Sequence, residues 1–249
     1  MTRLLTTTAL LGALALPAQA FDLTDMSDAE RAAFRAEIRN YLLENPDVIM
    51  EAVAVLEERQ QADAAQNDEA MLEANKAALF DDGFSHVGGN PEGDVTIVEF
   101  IDYRCGYCRR AHDEVAQLIA GDGNIRLITK EFPILGPNST ASSKFAIAVK
   151  HVAGGEAYEA ANEALIRLNG EMSPKALRRL ADTLGVDADA VIAKMESEDV
   201  AREINETRAL AQRLQINGTP TFVVESQMLR GYLPLQAMQE IVARVRAEG

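Results

Sequence analysis

The chain has 249 residues, of which 47% are hydrophobic and 25% are charged. This composition is typical of a globular protein with an ordinary core, and the length suits one large domain or one domain with a sizeable extra segment. The formal net charge of −15 opposes binding to nucleic acids and to anionic membrane surfaces, so we expect neither as a partner.

The first twenty residues are typical of a secretory signal peptide. Arg3 gives a basic start, residues 4–16 form an apolar stretch without acids, and residues 18–20 read Ala-Gln-Ala, the small-residue pattern of a cleavage site. The stretch is shorter than the roughly 18 residues that span a bilayer. We therefore expect residues 1–20 to be removed on export, with Phe21 as the first mature residue.

Residues 21–80 are expected to be helical. Apolar residues recur at helical spacing within residues 28–43, and Asn45-Pro46 predicts the start of a second helix, because proline is favoured at the first helical position. The second helix has an apolar stripe only near its start and continues as a polar run to Ala78. A helix that is polar nearly all round is a solvent-bridging stalk or needs support. The alternative to a stalk is a helix folded back on the main domain.

The remainder of the chain, residues 81–249, alternates between strand and helix patterns. Strands are predicted at 95–100, 124–132, 221–225 and 228–230, with helices at 111–119 and 235–247 and a helical block at about 138–215. The order of strand, helix, strand, helical block, hairpin and helix predicts an α/β thioredoxin fold with an inserted helical subdomain.

Both cysteines of the chain lie in the sequence Cys105-Gly106-Tyr107-Cys108, where the first strand ends and a helix begins. A C-x-x-C pair in this position is typical of redox sites, because disulfide exchange requires an attacking thiolate and a second thiol that resolves the mixed disulfide. Free N–H groups at a helix N-terminus lower a thiol pKa. We assign Cys105 as the nucleophile and Cys108, one turn further into the helix, as the resolving thiol.

The cysteine pair has three alternative interpretations. A structural disulfide would close a tiny loop and constrain the unfolded chain very little. A zinc site needs about four ligands, whereas the chain has only two cysteines and three histidines. Copper(I) accepts two soft thiolates, so Cu(I) binding at Cys105 and Cys108 stays open as a secondary role. For disulfide exchange itself the redox-active disulfide suffices, and no separate cofactor is expected.

Three further positions are candidates for the same site. Glu99 lies among apolar strand neighbours, which predicts burial, a raised pKa and a proton-relay role for Cys108; the alternative is an exposed acid. Lys130, in the second strand, is a candidate partner for Glu99 or an ordinary solvated lysine. Thr219-Pro220 precedes the third strand, where a cis bond would place the Thr219 backbone beside the cysteines. An ordinary trans turn is the alternative.

The segments VEFIDYRCGYCRRAH, KEFPILGP and GTPTFVV make residues 85–249 similar to the DsbA family of periplasmic disulfide proteins. This resemblance implies that Glu99 is the buried acid of the family, that Lys130 is its lysine, and that Pro220, preceded by Thr219, is its cis-proline.

The pair between the cysteines differs from that of the strong oxidase of the family. Gly106-Tyr107 stands where that enzyme has Pro-His, and the loss of the histidine removes a donor and a positive charge near the thiolate. We therefore expect a less extreme thiol pKa and weaker oxidising power. Gly106, Tyr107, Thr219 and Pro220 are the expected substrate contacts.

The segment IRNYLLENPDVIMEAVAVLEERQ, together with CGYC, resembles the suppressor-of-copper-sensitivity C subgroup (ScsC). Members of this subgroup resemble isomerases, and some form trimers through the N-terminal region. The resemblance implies a periplasmic disulfide isomerase that acts on protein substrates, is kept reduced by a membrane-bound reductase, and forms a homotrimer through residues 21–80. The alternatives are a monomeric dithiol oxidase and a Cu(I)-binding periplasmic protein without turnover.

Overall fold

The structure is a computed structural model that describes residues 26–248, so the predicted signal peptide lies outside the described residues. The chain divides into two compact units between Arg59 and Gln60. The sequence predicts this boundary after residue 80 instead. The difference has a physical cause: Asp68 forms an ion pair with Arg230 at 2.5 Å, so this part of the helix belongs to the second unit.

Within residues 26–59, the part of the first unit that the structure describes, two helices begin: α1 (Asp28–Glu44) and α2 (Asp47–Ala74). Ser27 and Glu30 form a capping box at the start of α1, in which each side chain accepts from the backbone N–H of the other residue. No residue of α1 is buried. The large apolar residues that are exposed on α1 and on the first half of α2 are Phe34, Ile38, Tyr41, Leu43, Ile49, Met50, Val53, Val55 and Leu56.

The second unit contains a five-stranded sheet in the order β1-β3-β2-β4-β5. Its strands are β1 (His86–Gly89), β2 (Val95–Ile101), β3 (Ile125–Glu131), β4 (Thr221–Val224) and β5 (Gln227–Arg230). Its helices after the end of α2 are α3 (Lys76–Phe80), α4 (Gly106–Asp122), α5 (Pro137–Ala153), α6 (Gly155–Arg167), α7 (Pro174–Leu184), α8 (Ala188–Met195), α9 (Glu198–Arg213) and α10 (Leu235–Glu248). Helices α5–α9 are inserted between β3 and β4, which confirms the predicted fold class.

The central strand β2 decides which side chains face the cysteines. It runs parallel to β3, with Glu99 opposite Thr129 and Phe100 opposite Lys130. Because side chains alternate between the faces of a sheet, Glu99 and Thr129 share the face that α4 and α10 cover, with Glu131 two residues further along it. Lys130 lies on the other face, where α9 and residues 72–79 pack.

The edge strand β1 is an element that the sequence analysis misses, because its glycines resemble a loop. It pairs antiparallel with β3 over four residues. Gly89 has a φ of +66°, and a Cβ there would lie 2.5 Å from the carbonyl oxygen of Ile125. Glycine is therefore required by the close approach of two backbones, which overrides its low strand propensity.

No helix within residues 26–248 is both long enough and apolar enough to cross a membrane.

Candidate active site

The first cysteine is the N-cap of α4. Cys105 has φ −76° and ψ 121°, and its backbone N–H donates to the carbonyl of Asp102 at 3.0 Å. In this position the unpaired N–H groups of the first helical turn face its sulfur. Both cysteines are free thiols; Cys105 is 8% exposed, whereas Cys108 is fully buried. Only the first sulfur is therefore accessible to a substrate.

The two thiols have opposite pKa shifts. The pKa of Cys105 falls from 9.0 to about 5. The largest cause is a hydrogen bond from the Cys108 thiol, and the backbone N–H groups of Tyr107 and Cys108 add to it, while desolvation opposes it. The same contact raises the pKa of Cys108 far above that of an ordinary thiol, as do burial and the charge of Glu99. At neutral pH the pair is thus a thiolate with slight solvent access at Cys105 and a fully buried thiol at Cys108.

The loop before β4 lies directly beside this thiolate. The Thr219–Pro220 peptide bond is cis, and the thiol form of Cys105 donates from Sγ to the carbonyl oxygen of Thr219 at 3.0 Å. Ionisation of Cys105 removes that donor. The Thr219 carbonyl then becomes available to a backbone N–H of an extended substrate, as expected for a peptide bound as an added strand.

The surface next to Cys105 is aromatic. Tyr107 is 62% exposed, and its ring stacks on Tyr232 with a centroid distance of 6.4 Å. The guanidinium of Arg110 lies 4.3 Å from the centroid of the Tyr232 ring. A Cβ added at Gly106 would meet no atom within 4 Å, so the space above the cysteine pair is open for a bound chain.

Glu99 has the buried environment that the sequence predicts. It is only 5% exposed, and burial raises its pKa from 4.5 to about 7, with a further contribution from the charge of Glu131. Its Oε1 has no hydrogen-bond partner, and its charge acts on Cys108. A carboxyl group that titrates near neutrality beside the resolving thiol is suited to receive the proton of that thiol.

The predicted pairing of Lys130 with Glu99 is wrong. Lys130 is buried on the opposite face of the sheet, where its Nζ donates to Asp82 Oδ2 at 2.5 Å and to the carbonyl of Ala78 at 2.8 Å. The register Phe100–Lys130 forces this outcome, because residues on adjacent strands share a face only when their pleats match. Lys130 binds the segment before β1 to the sheet and does not contact the cysteines.

Glu131 is the second buried carboxyl group of this face and is not predicted from the sequence. Its Oε1 accepts hydrogen bonds from the hydroxyls of Tyr103 and Tyr158, both at 2.7 Å. Burial is the largest cause that raises its pKa from 4.5 to about 7, and its charge contributes to the raised pKa of Glu99. Glu131 follows Thr129 by two residues in β3, and this parity places it on the Glu99 face only when the β2–β3 register is known.

Residues 96–243 match the DSBA-like thioredoxin domain, and residues 30–63 match the Copper resistance protein ScsC N-terminal domain. The chain belongs to the DsbA-like thioredoxin family. Among solved structures, a thioredoxin-like oxidoreductase from Silicibacter pomeroyi DSS-3 is 41% identical, with a TM-score of 0.65 over 70% of this chain and 98% of that one. The identification as a DsbA-like protein with an ScsC-like N-terminal segment is therefore confirmed.

Two other structures are similar to this DsbA-like chain. The thiol-disulfide exchange protein α-DsbA2 from Wolbachia pipientis is 27% identical, with a TM-score of 0.68 over 73% of this chain and 97% of that one. BcfH from Salmonella enterica Typhimurium is 24% identical, with a TM-score of 0.72 over 88% of this chain and 96% of that one, which shows the fold alone. The curated relatives that the chain matches are Na⁺/H⁺ antiporters, and the chain spans about a quarter of their length.

Proposed function

We propose that this chain is a periplasmic protein disulfide isomerase that works through Cys105 and Cys108. The observation that carries the proposal is the pairing of an accessible sulfur of low pKa, about 5 for Cys105, with a fully buried thiol at Cys108. The adjacent Thr219 carbonyl, 3.0 Å from the reactive sulfur, supplies the backbone acceptor that a polypeptide substrate requires.

The reaction begins when the Cys105 thiolate attacks one sulfur of a substrate disulfide. A mixed disulfide forms and the other substrate sulfur leaves as a thiolate. In isomerisation, that thiolate or another substrate thiolate attacks elsewhere in the substrate, and a final attack on the mixed disulfide returns Cys105 as a thiolate. No net oxidation or reduction has then occurred.

Cys108 and Glu99, which are both buried, release the substrate when isomerisation does not go to completion. Cys108 transfers its proton to the Glu99 carboxylate, attacks Cys105, and expels the substrate as a thiolate, so the enzyme becomes oxidised and the substrate reduced. The oxidised enzyme needs two electrons to act again. We accordingly propose a membrane-bound reductase partner that restores both thiols.

The N-terminal unit supports the choice of isomerase over oxidase. Its helices expose apolar residues such as Phe34, Ile38 and Val53 to solvent, and exposed apolar faces of this kind mark association surfaces. We propose that residues 21–80 join copies of the chain as a homotrimer. Several thiolates in one assembly can engage one misfolded substrate, which favours reshuffling over a single oxidation.

Reactivation of scrambled ribonuclease, compared with oxidation of reduced ribonuclease, tests the proposal. We expect the full chain to reactivate the scrambled substrate in a reducing glutathione buffer, and the Cys105→Ser variant to be inactive. Cys108→Ser should still reshuffle but should accumulate mixed disulfide. Rapid oxidation of the reduced substrate without reactivation of the scrambled one would identify a dithiol oxidase instead.

A second candidate function is Cu(I) binding by the two sulfurs. It is favoured by the match of residues 30–63 to the Copper resistance protein ScsC N-terminal domain and by two soft thiol ligands in mutual contact. Within the described part of the chain, no group of three or more His, Cys, Asp or Glu residues is suited to hold a metal ion, so any copper site would have low coordination. Competition with a Cu(I) chelator, with Cys105→Ser as the control, measures this binding.

A further inference from the structure

An open cavity of about 340 Å³ lies behind the active site, on the sheet face that α4 covers. It is bounded by α4, α6 and the strands β1 and β3, with Glu99 and Thr129 among its lining residues. Neither Cys105 nor Thr219 lines it, so it is separate from the surface that meets a protein substrate. Its volume is within the range of about 300–1,000 Å³ that holds small ligands.

A buried polar atom at this cavity lacks a partner. Glu99 is 5% exposed, and its Oε1 makes no hydrogen bond within the described structure. Buried carboxylate oxygens are normally paired, because an unpaired one loses its hydration without compensation. Glu99 itself lines the cavity, so a ligand there that brings a hydrogen-bond donor to its carboxyl group would supply a contact that the chain does not.

The charges around the cavity select a cation. Three carboxyl groups line it, those of Glu99, Glu159 and Glu163, and its lining contains no lysine or arginine. The two lining histidines are already engaged: His86 Nε2 lies 3.0 Å from Glu159, and His112 Nε2 lies 2.5 Å from Glu163. Glu163 also pairs with Arg167 through its other oxygen. An anionic ligand would therefore be repelled chiefly by Glu99 and Glu159, whereas an ammonium group finds Glu159 at the rim and Glu99 deeper in the cavity.

The walls of the cavity favour a cation that carries a hydrocarbon group. Val115 and Ile119 of α4 and Leu127 of β3 line it, together with the small side chains of Ala116 and Ala120. Apolar walls with a few convergent polar groups are the usual construction of a small-molecule site.

We propose that this cavity binds a small amphiphilic organic ammonium ion, with an N–H donating to the Glu99 carboxylate and the hydrocarbon part packed against α4. If the proposed function holds, the bound cation also regulates it, because an occupied Glu99 carboxylate cannot receive the proton of Cys108. Release of the mixed disulfide then slows, while the first attack by Cys105 proceeds unchanged.

The protonation of Glu99 links this binding to pH. The titratable groups that face Glu99 or the cavity are Cys108 and His112 on α4, Glu131 on β3, His86 on β1, and Tyr158, Glu159 and Glu163 on α6. The carboxylate form of Glu99 binds an ammonium ion and the protonated form does not, so affinity rises with pH through about 7. His86, whose pKa is lowered by burial, adds to the same trend, because its neutral imidazole repels the cation less.

The binding is tested by NMR titration of the full reduced chain with benzylamine, with benzyl alcohol as the neutral isostere. We expect benzylamine to shift the amide signals of residues 115–120 and 127–129, and benzyl alcohol to bind about tenfold more weakly, because a charge-assisted hydrogen bond is lost. Ala120→Leu, which adds volume at the cavity, should weaken benzylamine binding. The matched control is Gln117→Leu, an exposed position of the same helix outside the cavity, and it should not.

Equal binding of the two probes, shifts confined to the surface around Tyr107 and Tyr232, or an Ala120→Leu variant that binds benzylamine as well as Gln117→Leu does would each overturn the proposal. Absence of binding at millimolar benzylamine would also overturn it. Because the titration requires no turnover, a failure of the isomerase proposal leaves this result readable, and failure to bind leaves the isomerase assays unaffected.

Discussion

The reactivity of Cys105 arises from ordinary groups that the fold holds in place. The Cys108 thiol and the N–H groups of residues 107 and 108 lower its pKa to about 5, although no histidine lies between the cysteines. A lower pKa stabilises the reduced form relative to the disulfide, because the thiolate is favoured over the thiol. The position of Cys105 as the N-cap of α4 thus contributes directly to the redox balance.

The role of the buried thiol as donor can be measured separately from its role as nucleophile. Replacement Cys108→Ala removes the largest cause of the lowered pKa, so we expect the Cys105 midpoint to rise by about 1–2 units. Cys108→Ser keeps a hydroxyl donor and should titrate closer to wild type. The measurement is the pH dependence of iodoacetamide alkylation of Cys105. Identical midpoints for the two variants would contradict the hydrogen-bond argument.

The raised pKa of Glu99 should make stability depend on pH. Between the unfolded pKa of 4.5 and the folded pKa of about 7, the native state retains a proton that the unfolded state releases, so unfolding becomes easier as pH rises. Glu99→Gln abolishes this effect. The free energy of urea unfolding of the variant, relative to wild type, should therefore increase from pH 4.5 to 7 by on the order of 2–3 kcal/mol.

The control for that experiment is Glu240→Gln, because Glu240 is exposed and should give a difference that does not change with pH. A flat difference for Glu99→Gln as well would show that this carboxyl group titrates normally. Glu131→Gln tests the coupling between the two carboxyls. It should lower the Glu99 pKa only in part, because burial is the larger cause, and ¹³C NMR of labelled glutamate side chains reports that shift.

At the scale of secondary structure, the limit of sequence reasoning was the pairing of strands. The composition of residues 95–100 and 124–132 is sufficient to predict β2 and β3, and the burial of Glu99 followed from its apolar neighbours. The relative register was not predictable, because it depends on tertiary packing, and a shift of one residue exchanges the two faces of a sheet. Because the register of β2 and β3 was not known, Lys130 was expected to pair with Glu99, and Glu131 was not recognised as a residue of the same face.

The ion pair of Lys130 and Asp82 should therefore affect stability without affecting the thiols. Asp82→Asn leaves a buried lysine charge without its partner, at a cost of about 3–5 kcal/mol. The double variant Asp82→Asn/Lys130→Met removes both charges and should recover part of that loss, as measured by urea unfolding. The alkylation midpoint of Cys105 should be unchanged in Lys130→Met. A shifted midpoint would mean that this lysine acts on the active site after all.

At the scale of the whole molecule, the two units pose different physical problems. The second unit buries a continuous core around its sheet and inserted helices, and its fold class was predictable from the order of the elements. The described part of the first unit, residues 26–59, consists of helices with exposed apolar residues. Its helices were predictable from the periodicity of their apolar residues. The sequence of one chain does not show which surface packs against these apolar residues.

Disruption of the exposed apolar face should separate assembly from chemistry. Replacement of Ile38 and Val53 by aspartate places charges on the surface that we propose joins the copies, since both residues are at least 40% exposed in the single chain. We expect light scattering to show a trimer for wild type and a monomer for the double variant. Scrambled-ribonuclease reactivation should be lost, whereas the alkylation midpoint of Cys105 stays near 5.

The control is Arg39→Asp, which also places an acid on an exposed position of α1. It should leave both the mass and the isomerase rate unchanged. A monomeric wild type, or a monomeric variant that still reactivates the scrambled substrate, would remove the N-terminal unit from the explanation of isomerase activity.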